Sequence, residues 1–512
     1  MKFALCSAII LAAPCFAQPT VEQVLARARD AIGTPAPGAI SVRGHANFLG
    51  NDVPFDLTIH SDGRFVQRLG GPVPFAIGFD STIAWISDMG GEVRPLELGE
   101  KTQFTLGTWM LTGRALGPDS PLTFTSAAEK DGSLVLEFTG DADRLTGSLQ
   151  LDPATNLPRV WTLSTGASTS TLELSGDIVA AGLRLPRQAR QSSTSGSATD
   201  YTIESAASAD TPPAAFAKFG KTTPAKFDPA APAALEVKKA KTGHLLVRPR
   251  IDGKELGWFI FDTGAGSNVI ANSVAKELEL KPIASVPATG VGGHVTTSMY
   301  RLGSVQLGPM TLDNSIMVGI ELGFLDAPLG EHIAGIVGFG VLARAAAEID
   351  ADAATITLHD PAGYSLPRGA AWQELLLDHR TPATRASFEG HEGVFTIDTG
   401  ASGHALVLMA PTTQRLKLLE GRETKDSMLG GVGGMVPAKV GKLATFDLAG
   451  VRHENLTVAF ATERRGAFGN PYLDGNIAGK LIRQYTLVLD YMNGRLAFIP
   501  KGGAAAPDGA GR

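Results

Sequence analysis

Residues 258–270 read WFIFDTGAGSNVI, and residues 394–406 read VFTIDTGASGHAL. In each, a strand-like run leads into Asp-Thr-Gly: Phe259-Ile260-Phe261 before Asp262, and Phe395-Thr396-Ile397 before Asp398. Such a run reads as a buried strand that delivers one carboxyl to its end. Gly264 and Gly400 supply the small residue that a tight turn directly after the acid requires. The hydroxyls of Thr263 and Thr399 can bond across to a partner backbone and hold two such loops in register.

These stretches are landmarks of one internal repeat. Asp398 follows Asp262 by 136 positions. Gly290-Val291-Gly292-Gly293 recurs as Gly431-Val432-Gly433-Gly434, and Ile336-Val337-Gly338 as Ile477-Ala478-Gly479, both offset by 141. Ile349-Asp350 recurs as Leu489-Asp490 at an offset of 140, each Asp reading as a turn residue of a closing hairpin. Four landmarks in one order at nearly constant spacing identify a duplicated β lobe. Two Asp-Thr-Gly loops meeting across a pseudo-twofold axis would bring two carboxyls together. Like charges that close cannot both ionise, so one proton is shared, and the pair can activate water without a metal, thiol or serine.

The two Asp-Thr-Gly-Ala motifs and the apolar-apolar-Gly motifs resemble those of the aspartic proteases, specifically a fused two-lobe form of the retropepsin-like fold. The resemblance implies that Asp262 and Asp398 are the catalytic dyad and that Thr263, Gly264, Thr399 and Gly400 shape their loops. It places flaps, hairpins that close over bound peptide, at Gly290, Gly292 and Gly293 and again at Gly431, Gly433 and Gly434. It calls for no cofactor and no metal. Both halves keep a Gly-rich segment, whereas pepsin-like enzymes keep a single flap. Neither segment contains tyrosine; Tyr300 lies several residues past Gly293.

Across all 512 residues, Gly 60 and Pro 31 with aromatics at 7% favour turns and strands over long helices. A net charge of −6 without a basic stripe argues against a nucleic-acid partner. Residues 1–17, MKFALCSAIILAAPCFA, have the layout of a secretory signal, with Lys2 before an apolar run and Ala17 at the expected cleavage point. Both cysteines, Cys6 and Cys15, fall inside it, so a periplasmic or secreted mature protein without disulfides is expected. No later stretch is long and apolar enough to read as a membrane span.

After the leader, Thr20 and Gln23 have capping-box spacing, and Gly33 stops the helix that they open. From about residue 38 to 205 strands follow one another, with Phe55, Leu57 and Ile59 alternating before a turn at Asp62-Gly63. A helix and then a meander predicts a curved antiparallel sheet packed on that helix. That order, the Ser61-Asp62-Gly63 hairpin and the stretch from Leu151-Asp152-Pro153 to Leu157-Pro158 resemble the LolA-like half-barrels that carry lipid or lipoprotein, which implies an apolar ligand. Residues 206–232 are rich in Pro and Ala and read as an extended linker, and residues 503–512 as a frayed tail.

The expected organisation is therefore mainly β: signal 1–17, accessory domain 18–205, linker 206–232, protease lobes 233–368 and 369–502, and tail 503–512. Ser402 and His404 do not form a serine-hydrolase elbow, because the closing Gly is absent. His294 and His404 lack the spacing of a metal pair, and Arg464-Arg465 reads as solvated loop charge. The expected function is an exported, monomeric aspartic endopeptidase acting on peptide or protein. The competing expectation is a non-catalytic periplasmic carrier or peptide-binding protein that uses the N-terminal half-barrel.

Overall fold

The computed structural model describes residues 19–166, 168–217, 220–290, 293–401, 403–431 and 434–501. The leader at 1–17, the tail at 503–512, and Gly292, Gly433 and Ser402 lie outside the described residues. About 50% of the chain is strand and 14% helix, the mainly β class expected.

The helix Val21–Ile32 begins where its capping box places it: Gln23 N–H donates to Thr20 Oγ1, and Thr20 N–H donates to Gln23 Oε1. Its buried face (Val24, Leu25, Ala28, Ile32) lies in the hollow of an antiparallel sheet of thirteen strands among the described residues. The alternation of Phe55, Leu57 and Ile59 survives as burial, with all three inward on Asn51–His60. A second helix, Leu98–Leu111, was not foreseen. Glu97 at its N-cap makes no side-chain capping bond, its carboxylate accepting instead from Leu377 N–H, and the helix's apolar residues follow no clean stripe, so sequence offered neither start signal nor period. Trp109 and Met110 from this helix join Phe55, Leu136, Phe138 and Trp161, so the half-barrel is filled by its own side chains.

Residues 206–232 are not a free linker. The strand Ala198–Ala209 runs past the expected boundary at 205 and pairs with Ala39–Phe48. Phe216 is fully buried, and its carbonyl accepts from Trp85 Nε1 at 2.9 Å. Lys226–Phe227 then pairs with Met310–Asp313. Composition announced an extended path but could not show that tertiary bonds fasten it.

The two C-terminal lobes repeat one plan. Each holds an eight-stranded mixed sheet, and equivalent strands occupy equivalent places in the two orders. In both, the strand that ends in the Asp lies parallel to a second central strand: Trp258–Phe261 beside Ile333–Val337, and His391–Asp398 beside Gly475–Ala478. The lobes are joined beneath by a further sheet in which Ala346–Asp350 pairs with Tyr485–Asp490. Asp350 and Asp490 serve there as turn acceptors, Asp350 from Asp352 N and Ala353 N, Asp490 from Asn493 N.

The N-terminal domain is locked onto both lobes by charges buried together. From the turn at residues 88–92, Asp88 meets Arg380 Nε at 3.0 Å and Glu92 pairs with Arg344. Arg344 also donates to the carbonyls of Gly90 and Thr223, and Arg94 forms a bidentate pair with Glu100 at 2.6 and 2.8 Å. Burial and the neighbouring Asp88 push Glu92 up to about 7. Asp88, although burial works to raise it, is held below the usual carboxylate range by Arg380. Removing one partner strands a charge in a dry interface, at a cost of about 3–5 kcal/mol. Arg344→Met is therefore expected to lower unfolding stability by about that amount in urea titration. A cut introduced within residues 206–232 should leave the two fragments co-eluting on gel filtration.

Candidate active site

Two loops meet between the lobes, and four hydrogen bonds exchange their threonines. Thr263 N–H donates to Thr399 Oγ1 at 3.0 Å, and Thr399 N–H to Thr263 Oγ1 at 3.0 Å. Each hydroxyl then donates onward to the strand of the other lobe: Thr263 Oγ1 to the carbonyl of Ile397 at 2.7 Å, and Thr399 Oγ1 to that of Phe261 at 3.0 Å. Both threonines are buried, so these bonds form away from competing water.

This exchange sets the two carboxyls face to face. A methyl group on Gly400 would fall 2.5 Å from the carboxyl carbon of Asp262, and one on Gly264 would fall 2.7 Å from that of Asp398. No side chain larger than hydrogen fits at either position, which is the physical reason for Gly after Asp-Thr. Gly264 N–H donates to Asp262 Oδ1 at 2.8 Å, and Ala401 N–H donates to Asp398 Oδ1 at 2.9 Å. Burial and the charge of Asp398 push Asp262 up to about 8. Burial raises Asp398 as well, but bonds from Asn476 and Ala401 oppose the rise. A pair so arranged can hold one shared proton near neutrality.

Further residues reach the loops from flanking hairpins. His244 Nε2 lies 2.7 Å from the carbonyl of Gly400, while its Nδ1 lies 2.6 Å from Thr242 Oγ1. Burial keeps His244 below its ordinary value, so the neutral ring donates through Nε2. In the other lobe Arg380 donates to the carbonyl of Gly266 and to Ser267 Oγ, so one guanidinium ties the N-terminal domain to the loop after Asp262. None of these was singled out in sequence. His244 and Arg380 each lie at a turn 18 residues before an Asp-Thr-Gly, with only a tertiary partner to mark them.

The described residues on either side of each Gly-rich segment form a hairpin. Pro282–Gly290 pairs with Gly293–Arg301, and Thr424–Gly431 with Gly434–Leu448, so both halves keep the hairpin that the sequence placed at Gly290 to Gly293 and Gly431 to Gly434. The base of the first hairpin rests on the N-terminal domain: Ser285 N–H donates to the carbonyl of Leu49, and Val73 and Met89 pack on Ala284 and Met299. Arg464 and Arg465 are exposed, and His404 lies in the loop before Leu406–Leu408.

One alignment changes. Gly335 stands opposite Phe259, and Gly475 stands opposite Phe395. The equivalent of Ile336-Val337-Gly338 is therefore Asn476-Ile477-Ala478, offset by 140, rather than Ile477-Ala478-Gly479. The apolar-apolar-Gly pattern does not by itself fix register, whereas the closing hairpins, Ile349-Asp350 and Leu489-Asp490, carry the offset of 140.

A family model for aspartyl proteases matches the chain twice, over residues 247–341 and 384–476. The C-terminal region thus carries two aspartyl protease-family lobes. A solved LolA superfamily protein from Nitrosomonas europaea is 14% identical with a TM-score of 0.29, over 39% of this chain and 98% of its own. No curated protein matches the chain.

Two outcomes follow from the site. In the unfolded chain Asp262 titrates near 3.8, against about 8 in the fold, so the native state keeps a proton that the unfolded state releases. That contribution is complete below the lower value and disappears as pH rises through the higher one. Melting temperature should fall across that window, and Asp262→Asn should flatten much of the slope, Glu92 retaining a share. Thr399→Val, which orphans the Thr263 amide, should cost about 1–3 kcal/mol, while Thr399→Ser should restore most of it.

Proposed function

We propose that the protein is an exported aspartic endopeptidase whose dyad is Asp262 and Asp398. The observation that supports this most directly is the contact of two carboxyls, one from each half of the repeat, above a cross-lobe threonine exchange. A water between the carboxyls would give a proton to the ionised member as its oxygen bonds the peptide carbonyl carbon. The protonated member would give its proton to the carbonyl oxygen, leaving a neutral diol. Collapse of the diol breaks the C–N bond: the amine nitrogen takes the first proton, and a diol hydroxyl returns the second. The two hairpins tipped by Gly290, Gly293, Gly431 and Gly434 would close over the substrate. Peptide or protein is the substrate class, the lobes span 233–368 and 369–502, and the chain acts as a monomer, because both carboxyls come from one polypeptide.

The carrier reading finds less support. The hollow of the N-terminal sheet is filled by its own Val24, Ala28, Trp109 and Met110, and a cavity beside Ile32 mixes Leu111, Leu157 and Leu174 with the charges of Asp152, Arg159, Asp177 and Arg184. The signal-like layout of residues 1–17 supports the export part of this reading. Among the described residues no helix is long and apolar enough to cross a membrane.

A peptide-library assay across pH tests the reading. Asp262→Asn and Asp398→Asn are each expected to lower kcat by at least about a thousandfold with unchanged thermal unfolding cooperativity. The rate should be bell-shaped in pH and indifferent to chelators. Full cleavage by either variant would overturn the dyad.

A further inference from the structure

The two halves of the dyad stand on different floors. In the first lobe the residues beneath Asp262, on its own strand and on the adjacent parallel strand, are Ile260 and Ile336, paired side by side. The equivalent pair beneath Asp398 is Thr396 and Asn476. All four are buried, Thr396 and Asn476 at 6% exposure each. At this one layer the repeat replaces two isoleucines with two hydrogen-bonding side chains.

Those polar groups form a directed chain. Thr396 Oγ1 donates to Asn476 Oδ1 at 3.0 Å, which fixes the amide so that its NH2 faces upward. Asn476 Nδ2 then donates to Asp398 Oδ2 at 3.1 Å. Asp398 Oδ1 is already occupied by Ala401 N–H, so both of its oxygens accept from fixed donors. A carboxyl whose two oxygens both accept is favoured in its charged form. Asp262 receives Gly264 N–H on Oδ1, shares the nearby Gly400 N–H with Asp398, and has hydrocarbon rather than an amide below it.

The geometry points to Asn476, oriented by Thr396, as the positioning residue that makes Asp398 the ionised member of the dyad and Asp262 the protonated one. Resting on the peptidase reading above, it assigns the roles: Asp398 takes the proton from water, and Asp262 donates to the carbonyl oxygen. Direction is thereby built into a site that the Asp-Thr-Gly loops alone would leave symmetric. The other titratable groups that face the dyad do not distinguish its members in this way. His244 contacts the Gly400 carbonyl and stays neutral, with the charge of Arg483 also acting against its protonation. Tyr491, from the closing hairpin, lies toward Asp262 and keeps its proton. Lys480 lies against His404.

The test is a site-resolved titration of the full chain by carbon NMR with labelled aspartate, the two Asp→Asn variants identifying the resonances, alongside the pH profile of kcat/KM. In the unsubstituted protein the lower apparent value should belong to Asp398. Asn476→Ile, which copies Ile336, should move that titration and the acidic limb of the profile upward by about one unit. Thr396→Val, which frees the amide to turn, should move both in the same direction by less, and Asn476→Ser should recover part of the shift through its hydroxyl. A merely structural role would lower the melting temperature and leave the titrations in place. The proposal is overturned if the lower value belongs to Asp262, or if neither Asn476→Ile nor Thr396→Val shifts Asp398. A split titration that responds to Asn476 in a protein that cleaves no peptide would instead sink the peptidase reading and leave the positioning role standing.

Discussion

The exchange of threonines between the two loops is the constraint on which the rest of the C-terminal architecture depends. Each threonine accepts from one amide and donates to one carbonyl of the opposite lobe, so neither loop can shift without breaking bonds in both. Two acidic side chains are thereby pressed together at the ends of strands whose cores would otherwise keep them apart. That crowding is unfavourable for two charges and tolerable for one, so the pair favours holding one proton between them. The closing hairpins repeat the theme below, since one sheet draws strands from both lobes and leaves them no freedom to separate.

Around this centre the N-terminal domain is a wall rather than an appendage. Its turn at residues 88–92 brings two carboxyls against arginines of both lobes, and Arg380 continues the contact to the loop after Asp262. Its apolar turn residues also underlie the first hairpin, so whatever freedom that hairpin has begins above a fixed base. Buried ion pairs contribute little net stability compared with apolar contacts of the same size, but they tolerate no misplacement. The domain is therefore held in one position relative to the two Asp-Thr-Gly loops. A half-barrel filled by its own two helices fits such a supporting role.

Much was legible before any coordinates. The capping box at Thr20 and Gln23, the alternation at Phe55, Leu57 and Ile59, and the turn acids Asp350 and Asp490 are local signals, and local signals survive folding. What went unseen was local in position but tertiary in meaning. The helix Leu98–Leu111 has no side-chain N-cap and no clear period, because it packs on more than one face and leaves only Lys101 and Gln103 exposed. The segment 206–232 reads as loose because nothing in Pro and Ala announces that Phe216 fills a pocket beneath Trp85.

The sequence by itself determined that one β lobe occurs twice and that each copy ends a buried strand in Asp-Thr-Gly, because repeat spacing and strand periodicity are written residue by residue. Only the tertiary structure decided that the parallel strands align at 140, that Asn476 lies under Asp398 where Ile336 lies under Asp262, and that arginines from both lobes hold the N-terminal domain. Those facts depend on which strands become neighbours and in what register. Register is settled by packing and hydrogen bonding between segments far apart in the chain, and no single segment encodes it.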